Sequence, residues 1–247
     1  MRNFKLLTSS GLIALSLAAC APPHPHGKGP LKVISTLDCP DTQGDLTRKS
    51  AATDGKSCVY ATEGGDQVTL QLIALDGKDP HTALAPLETQ LKSELPAVAD
   101  PPKTPDKPEA SDKDRVEINL PGIHIHARGD GHTDVDTAGV HVNANGHGAR
   151  GDHADVEIGD TGDGHGVTVN ATDGGAQIRM DERGLGFRAR YILASETAGP
   201  HGYRMAGYEA RGPSSGPIVV AQVLAKSHDH DDLSHDVRQL LRRNVGG

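Results

Sequence analysis

The sequence predicts a mainly β protein: a short β-solenoid or stacked β-meander of four repeats, with a capping hairpin and a C-terminal α-helix, preceded by a small N-terminal β module. Two observations carry this prediction. One seven-residue pattern of alternating apolar and polar residues recurs four times between residues 115 and 193. Aromatic residues make up only 2% of the chain and Trp is absent, so a core must be built from Val, Ile, Leu and Ala. That composition suits thin β-structures better than a wide enzyme core.

The repeat copies are Gly122-Ile-His-Ile-His-Ala-Arg, Gly139-Val-His-Val-Asn-Ala-Asn, Gly166-Val-Thr-Val-Asn-Ala-Thr and Gly184-Leu-Gly-Phe-Arg-Ala-Arg. A shorter apolar stretch precedes each, and the third copy carries an insertion over 159–165. Strand side chains alternate between faces, so Ile123, Ile125 and Ala127 share one face and His124, His126 and Arg128 the other. The same sorting is expected in every copy. A single copy is too thin to bury its own apolar edge, so the copies must stack. Gly129-Asp130-Gly131, Asn145-Gly146 and Asp173-Gly174-Gly175 supply turns between them.

The rest of the chain falls into recognisable pieces. Residues 31–95 show apolar alternation at Leu31 and Val33, Cys58 and Tyr60, and Val68, Leu70 and Leu72, punctuated by glycines, which reads as a small β module. Leu84, Leu87, Leu91 and Leu95 recur at helical spacing, predicting a short helix over 82–95. Residues 96–114 are rich in Pro, Lys, Asp and Glu and read as a disordered linker, leaving 115–247 as the repeat domain. Two strands near 202–210 and 216–225 read as a hairpin capping the repeats. From Asp229 onward, acids come first, Leu233, Val237, Leu240 and Leu241 share a face, and Arg242, Arg243 and Gly246 close the segment. That is a helix with its charges matched to the dipole and a glycine C-cap, expected to cover the open end of the β-structure.

The N-terminus bears on location. Arg2 and Lys5 precede an apolar stretch that is too short to span a bilayer, and the stretch ends at Leu17-Ala18-Ala19-Cys20. This ending resembles the lipobox of bacterial lipoproteins. The resemblance implies that residues 1–19 are a signal peptide removed before Cys20 and that the Cys20 thiol carries diacylglycerol. Residues 20–30, rich in Pro, His and Gly, then form a flexible tether. Ala21 rather than Asp after the lipidated cysteine implies sorting to the outer membrane, facing the periplasm or the cell surface. The membrane is then one partner, and an envelope protein is the class of macromolecule such a location offers.

Without residues 1–19, Cys39 and Cys58 are the only thiols besides Cys20. An even pair in an oxidising compartment reads as a disulfide that staples the N-terminal module. A redox or metal pair is the alternative, and no C-x-x-C spacing supports it. Loss of Arg2 and Lys5 takes the formal charge from −8 to −10. Such a charge repels phosphate backbones and argues against nucleic acid as a partner. The scarcity of aromatic rings argues against carbohydrate and single-strand binding, which stack ligands on rings.

The repeat region resembles the adhesin-like β-solenoid domains of cell-envelope proteins, and the arrangement of the whole chain resembles lipoproteins of α-proteobacteria. These likenesses imply an envelope, non-enzymatic role and transfer no catalytic residue.

Histidine is the conspicuous chemical feature: seven lie between 124 and 165, and three more are His228, His230 and His235. His124 and His126 share a strand face and His141 is expected beside His124 in the next repeat. With His228 and His230 as a second group, these are candidate ligands for Zn²⁺, Cu²⁺ or Ni²⁺, with Asp152 or Asp155 near enough in sequence to assist. The plainer account makes them polar residues on a solvated sheet face, and a pH-sensing role is a third. Asp160-Thr-Gly-Asp-Gly-His-Gly superficially fits the D-x-G-x-G-x-G loop by which many methyltransferases hold S-adenosylmethionine, but that loop needs a helix after it and another strand follows here. As an acidic turn for Ca²⁺ it lacks tandem nonapeptides. Arg128-Gly-Asp and Arg150-Gly-Asp fall where turns require Gly and Asp anyway. No nucleophile-elbow or H-E-x-x-H pattern is present. The expectation is a non-enzymatic envelope lipoprotein with a structural or binding, adhesin-like role. The alternative is a periplasmic divalent-metal-binding lipoprotein that uses the histidine-rich strand face.

Overall fold

The computed structural model describes residues 30–99, 186–226 and 231–246, together with the strands that lie between 115 and 183. Cys20, the signal segment, most of the linker, His228 and His230 lie outside the described residues. Near the N-terminus run β1 (Thr42–Gln43), β2 (Leu46–Ala51), β3 (Ser57–Ala61) and β4 (Gln67–Ile73), then helix α1 (Pro80–Glu94) and the short α2 (Pro96–Ala99). The repeat region supplies β5 (Arg115–Leu120), β6 (Ile123–Arg128), β7 (His132–Thr137), β8 (Val140–Asn145), β9 (Ala149–Arg150), β10 (His153–Ile158), β11 (His165–Thr172), β12 (Gly175–Arg183) and β13 (Phe187–Ser195). The chain closes with β14 (Met205–Gly212), β15 (Ile218–Ala225) and α3 (Asp231–Val245).

A four-stranded sheet takes β5-β6-β7-β8, and the other strands form one open sheet of eleven in the order β1-β2-β3-β4-β15-β14-β13-β12-β11-β10-β9. The four repeat copies are the second strands of the antiparallel hairpins β5–β6, β7–β8, β10–β11 and β12–β13. Stacked solenoid coils pair in parallel, so antiparallel pairing between chain neighbours makes these repeats meanders and not a solenoid.

The first and second copies are in phase: Ile118, Ile125, Val135 and Val142 stand in one register row. The third and fourth are not. Val169 pairs through Ile178 with Ile192, whereas Thr168 pairs through Arg179 with Tyr191. The apolar residues Val167 and Val169 of the third copy therefore lie on one face of the sheet, and Phe187, Ala189 and Tyr191 of the fourth on the other. The expectation of one sorting for all copies fails at this step, where β13 turns its apolar residues toward the leucines of α1.

Strand β15 organises the large sheet. Its sequence, Ile-Val-Val-Ala-Gln-Val-Leu-Ala, is apolar at almost every position, and all of it is buried except the half-buried Leu224. A strand of this kind needs cover on both faces, as in central strands of layered folds. It lies between β14 and β4, with Ile73↔Ile218 through Gln67↔Leu224 in antiparallel register. Segments 31–95 and 115–247, which read as separate units in the sequence, thus contribute to one sheet. The β14–β15 hairpin is its centre and not a cap.

The two long helices cover opposite faces. Leu233, Val237, Leu240, Leu241 and Val245 of α3 pack on Leu46, Tyr60, Val68, Leu70, Val219, Ala221 and Val223. Leu84, Leu87, Leu91, Leu95 and Val98 pack on Phe187, Tyr191, Leu193, Tyr208, Ile218 and Val220. A fully buried leucine in such a layer contributes about 1.5–3 kcal/mol. α3 therefore covers a face of the sheet rather than an open end. Helix α1 starts two residues earlier than its leucine spacing suggests because the Asp79 side chain accepts from His81 N at 2.9 Å and Pro80 occupies the first helical position.

Side chains stitch α3 to the N-terminal segment. Asn244, 4% exposed, accepts from Asp38 N (2.8 Å) and donates to Asp38 O (3.1 Å) and Leu240 O (2.9 Å). The Asp236 carboxylate accepts from Asp45 N at 3.0 Å, and it sits where a Cβ on Gly44 would meet it at 2.1 Å, so this left-handed turn (φ +55) requires glycine. Cys39 and Cys58 are joined as expected, with Cα atoms 6.4 Å apart, and Cys58 lies in the core under α3. Replacing Asn244 with Ala removes three hydrogen bonds, two of them to the Asp38 backbone, and is expected to cost about 1–2 kcal/mol in urea unfolding. Arg243→Ala, which removes an exposed pair with Asp38, is expected to cost less than about 1 kcal/mol in the same assay.

Candidate functional site

Three of the sequence-derived candidates, His124, His126 and His141, lie on strands of the sheet β5-β6-β7-β8. Its register brings carboxylates between the histidines. His124 has Asn119 and Asp136 as its Cα partners, and Asp136 in turn pairs with His141. His126 stands between Glu117 and Asp134. His124, His126, Asp134, Asp136, His141 and Glu117 thus occupy neighbouring register positions of the four strands. Directly opposite residues in an antiparallel pair have Cβ atoms about 4.5–5.5 Å apart. The expected adjacency of His124 and His141 is corrected: β7 intervenes, and Asp136 is the neighbour of both. Asp155 lies on β10 opposite Asn170, in the other sheet. His235 is exposed on α3, with its Nε2 3.2 Å from Gln239 Nε2. Asp152, His228 and His230 lie outside the described residues, as do the central residues of both Arg-Gly-Asp tripeptides.

A second polar constellation, which sequence reasoning missed, lies under α1. Glu88 projects from the apolar face of the helix and receives Arg179 of β12 in a two-pronged pair, Nη1 to Oε1 at 2.9 Å and Nη2 to Oε2 at 2.5 Å. Tyr208 OH donates to the same Oε1 at 2.8 Å. The Arg179 guanidinium also lies 5.3 Å from the Tyr191 ring centre, and Tyr191 stacks on Tyr208 at 5.8 Å. The Tyr191 hydroxyl is buried without a hydrogen-bond partner. Burial, reinforced by the Glu88 charge, pushes the Tyr191 phenol up to about 12 and the Tyr208 phenol further in the same direction. Neither ring serves as an acid or base near neutrality, and the cluster acts as a clamp between helix and sheet. The signal in the sequence was Glu88, an acid directly after Leu87 of the leucine stripe.

The end of the sheet near α3 carries a third feature, an open groove of about 560 Å³ lined in part by Asp45, Glu63, Asp66 and Asp232. Asp66 is engaged there: Oδ1 accepts from Lys226 N at 2.9 Å and Oδ2 lies 3.1 Å from Thr62 Oγ1. Among the described residues, no three His, Cys, Asp or Glu side chains converge as metal ligands, and no helix is long and apolar enough to cross a membrane.

Compared with known proteins, the chain matches no family, no curated protein and no solved structure.

The phenols give a pH signature. Both are raised above the 10.0 of a free tyrosine, so the folded state holds its protons while the unfolded state releases them. Their contribution to stability is complete below pH 10 and is lost as pH rises through the folded values. Denaturant midpoints of the native chain are expected to fall steadily above pH 10, and less steeply in Tyr208→Phe. Equal slopes would remove the clamp from the account.

Proposed function

We propose that the chain is a non-enzymatic envelope lipoprotein, anchored through Cys20 and held off the outer membrane by residues 20–30, with a structural or binding role for its sheet body. The observation that carries this reading is the Cys39–Cys58 disulfide. Such bonds persist in oxidising compartments, and export with acylation is what Leu17-Ala18-Ala19-Cys20 implies. Expressed in a bacterium and labelled with radioactive palmitate, the native chain is expected to take up label and to sediment with membranes. Cys20→Ala is expected to lose the label and to appear in the soluble fraction. Equal labelling and sedimentation of the two would end this reading.

A second reading, divalent-metal binding by the histidine-bearing face of β5-β6-β7-β8, is favoured by the register that sets His124 opposite Asp136 and His126 opposite Asp134. Paired imidazoles and carboxylates suit Zn²⁺, Cu²⁺ or Ni²⁺. In calorimetric titration of the metal-free chain, saturable binding tighter than roughly 10 µM is expected, falling at least tenfold in His124→Ala/His126→Ala. Heat that does not saturate in that range, or an unchanged affinity in the double variant, would dismiss it.

A further inference from the structure

On the sheet face opposite α1, three arginines of β13 and β14 lie together: Arg188 and Arg190 on β13 and Arg211 on β14. Arg188 has Glu182 and Arg211 as its Cα partners, so on the β14 side two like charges face each other across neighbouring strands, an arrangement that opposes folding. The charge near them is largely committed. Glu209 takes Arg190 Nη2 on Oε2 at 2.9 Å, and Arg211 Nε and Nη2 on Oε1 at 2.9 and 2.5 Å. Burial works to raise the Glu209 carboxyl, and the two guanidiniums more than reverse it, holding the group below the usual carboxylate range.

Arg188 is left incompletely served. Its Nη1 reaches Glu182 at only 3.4 Å, near the limit of a hydrogen bond, and its Nε is buried with no partner. A buried guanidinium N–H left unpaired costs more than a neutral donor does. The side chains of Arg188, Arg190 and Arg211 are 16%, 19% and 12% exposed, so the group is mostly shielded from water while still reachable from it. Two residues before Arg188, a Cβ on Gly186 would lie 2.7 Å from Leu31 Cδ1.

We propose that Arg188, with Arg211 and Arg190 beside it, forms a binding site for a phosphate group, either free or in a lipid headgroup. Planar forks with fixed N–H directions match oxyanions bidentately, and an anion at the accessible edge of the Arg188 guanidinium would separate the facing charges of Arg188 and Arg211. The proposal is independent of the anchoring and metal readings, since neither Cys20 nor any histidine enters it.

The test is thermal unfolding of the full-length chain with inorganic phosphate, against sodium chloride at matched ionic strength. Saturable stabilisation by phosphate alone is expected, with the affinity reduced at least about tenfold in Arg188→Gln and severalfold in Arg188→Lys, which keeps the charge but loses the fork. In phosphate-free buffer Arg188→Gln is expected to melt no lower than the native chain, because the facing charge is gone. A native chain that responds equally to chloride and phosphate overturns the proposal, as does an Arg188→Gln chain with undiminished phosphate response. If Arg188→Gln fails to fold, the same titration of Arg188→Lys decides, an unchanged affinity being fatal. Co-sedimentation with phosphatidylglycerol against phosphatidylcholine vesicles distinguishes the sources. Arg188-dependent capture by the former alone assigns the phosphate to a headgroup, and its absence beside a positive phosphate titration assigns it to a free ion.

Discussion

The fold depends on the pairing of β4 with β15. Residues 67–73 and 218–224 meet only because the intervening chain folds back, and the strand thus completed is apolar on both faces. Burying those faces needs two covers, and the sequence supplies two amphipathic helices, one before the repeats and one after them. The leucines of α1 and α3 end on opposite sides of the same strand. Remove the pairing and α3 loses Leu46, Tyr60, Val68 and Leu70 from the surface it covers, while β2–β4 lose their link to the rest of the sheet.

Local chemistry wrote much of this into the sequence. Alternation marks the repeat strands, the charges and Gly246 mark α3, and Cys39 and Cys58 are joined as their pairing in number suggested. What escaped has a common cause. The β4–β15 register joins residues about 150 positions apart, and periodicity carries no information on which strands become neighbours. The acidic linker reads as a boundary by composition, yet composition cannot show that the strands on either side of it pair. The start of α1 was visible as Asp79-Pro80, although the leucine stripe drew the boundary later.

The change of face between the third and fourth repeats shows how tertiary context overrules a repeat. Copies separated by 17 residues, at Gly122 and Gly139, keep their apolar residues in one row, as their registers require. The copies at Gly166 and Gly184 are joined through the longer hairpins of β11, β12 and β13, and their parity inverts. The inversion gives α1 an aromatic and aliphatic bed in Phe187, Tyr191 and Leu193. It also sends Arg188 and Arg190 to the other face, where their charge stands apart from the Glu88–Arg179 clamp. One pattern in the sequence thereby yields two surfaces of different character, and the histidine-bearing sheet β5-β6-β7-β8 is a third.

The central position of β15 also has a consequence for the order in which the protein can mature. A ribosome delivers β2, β3 and β4 first, yet the strand beside them and the helix above them are the last elements to emerge. Until residues 218–245 arrive, Val68, Leu70 and the edge of β4 have nothing to shelter them. Newly made chains therefore pass through a long interval with an open, sticky margin, the condition under which holding chaperones are most needed and premature ends are least forgiven.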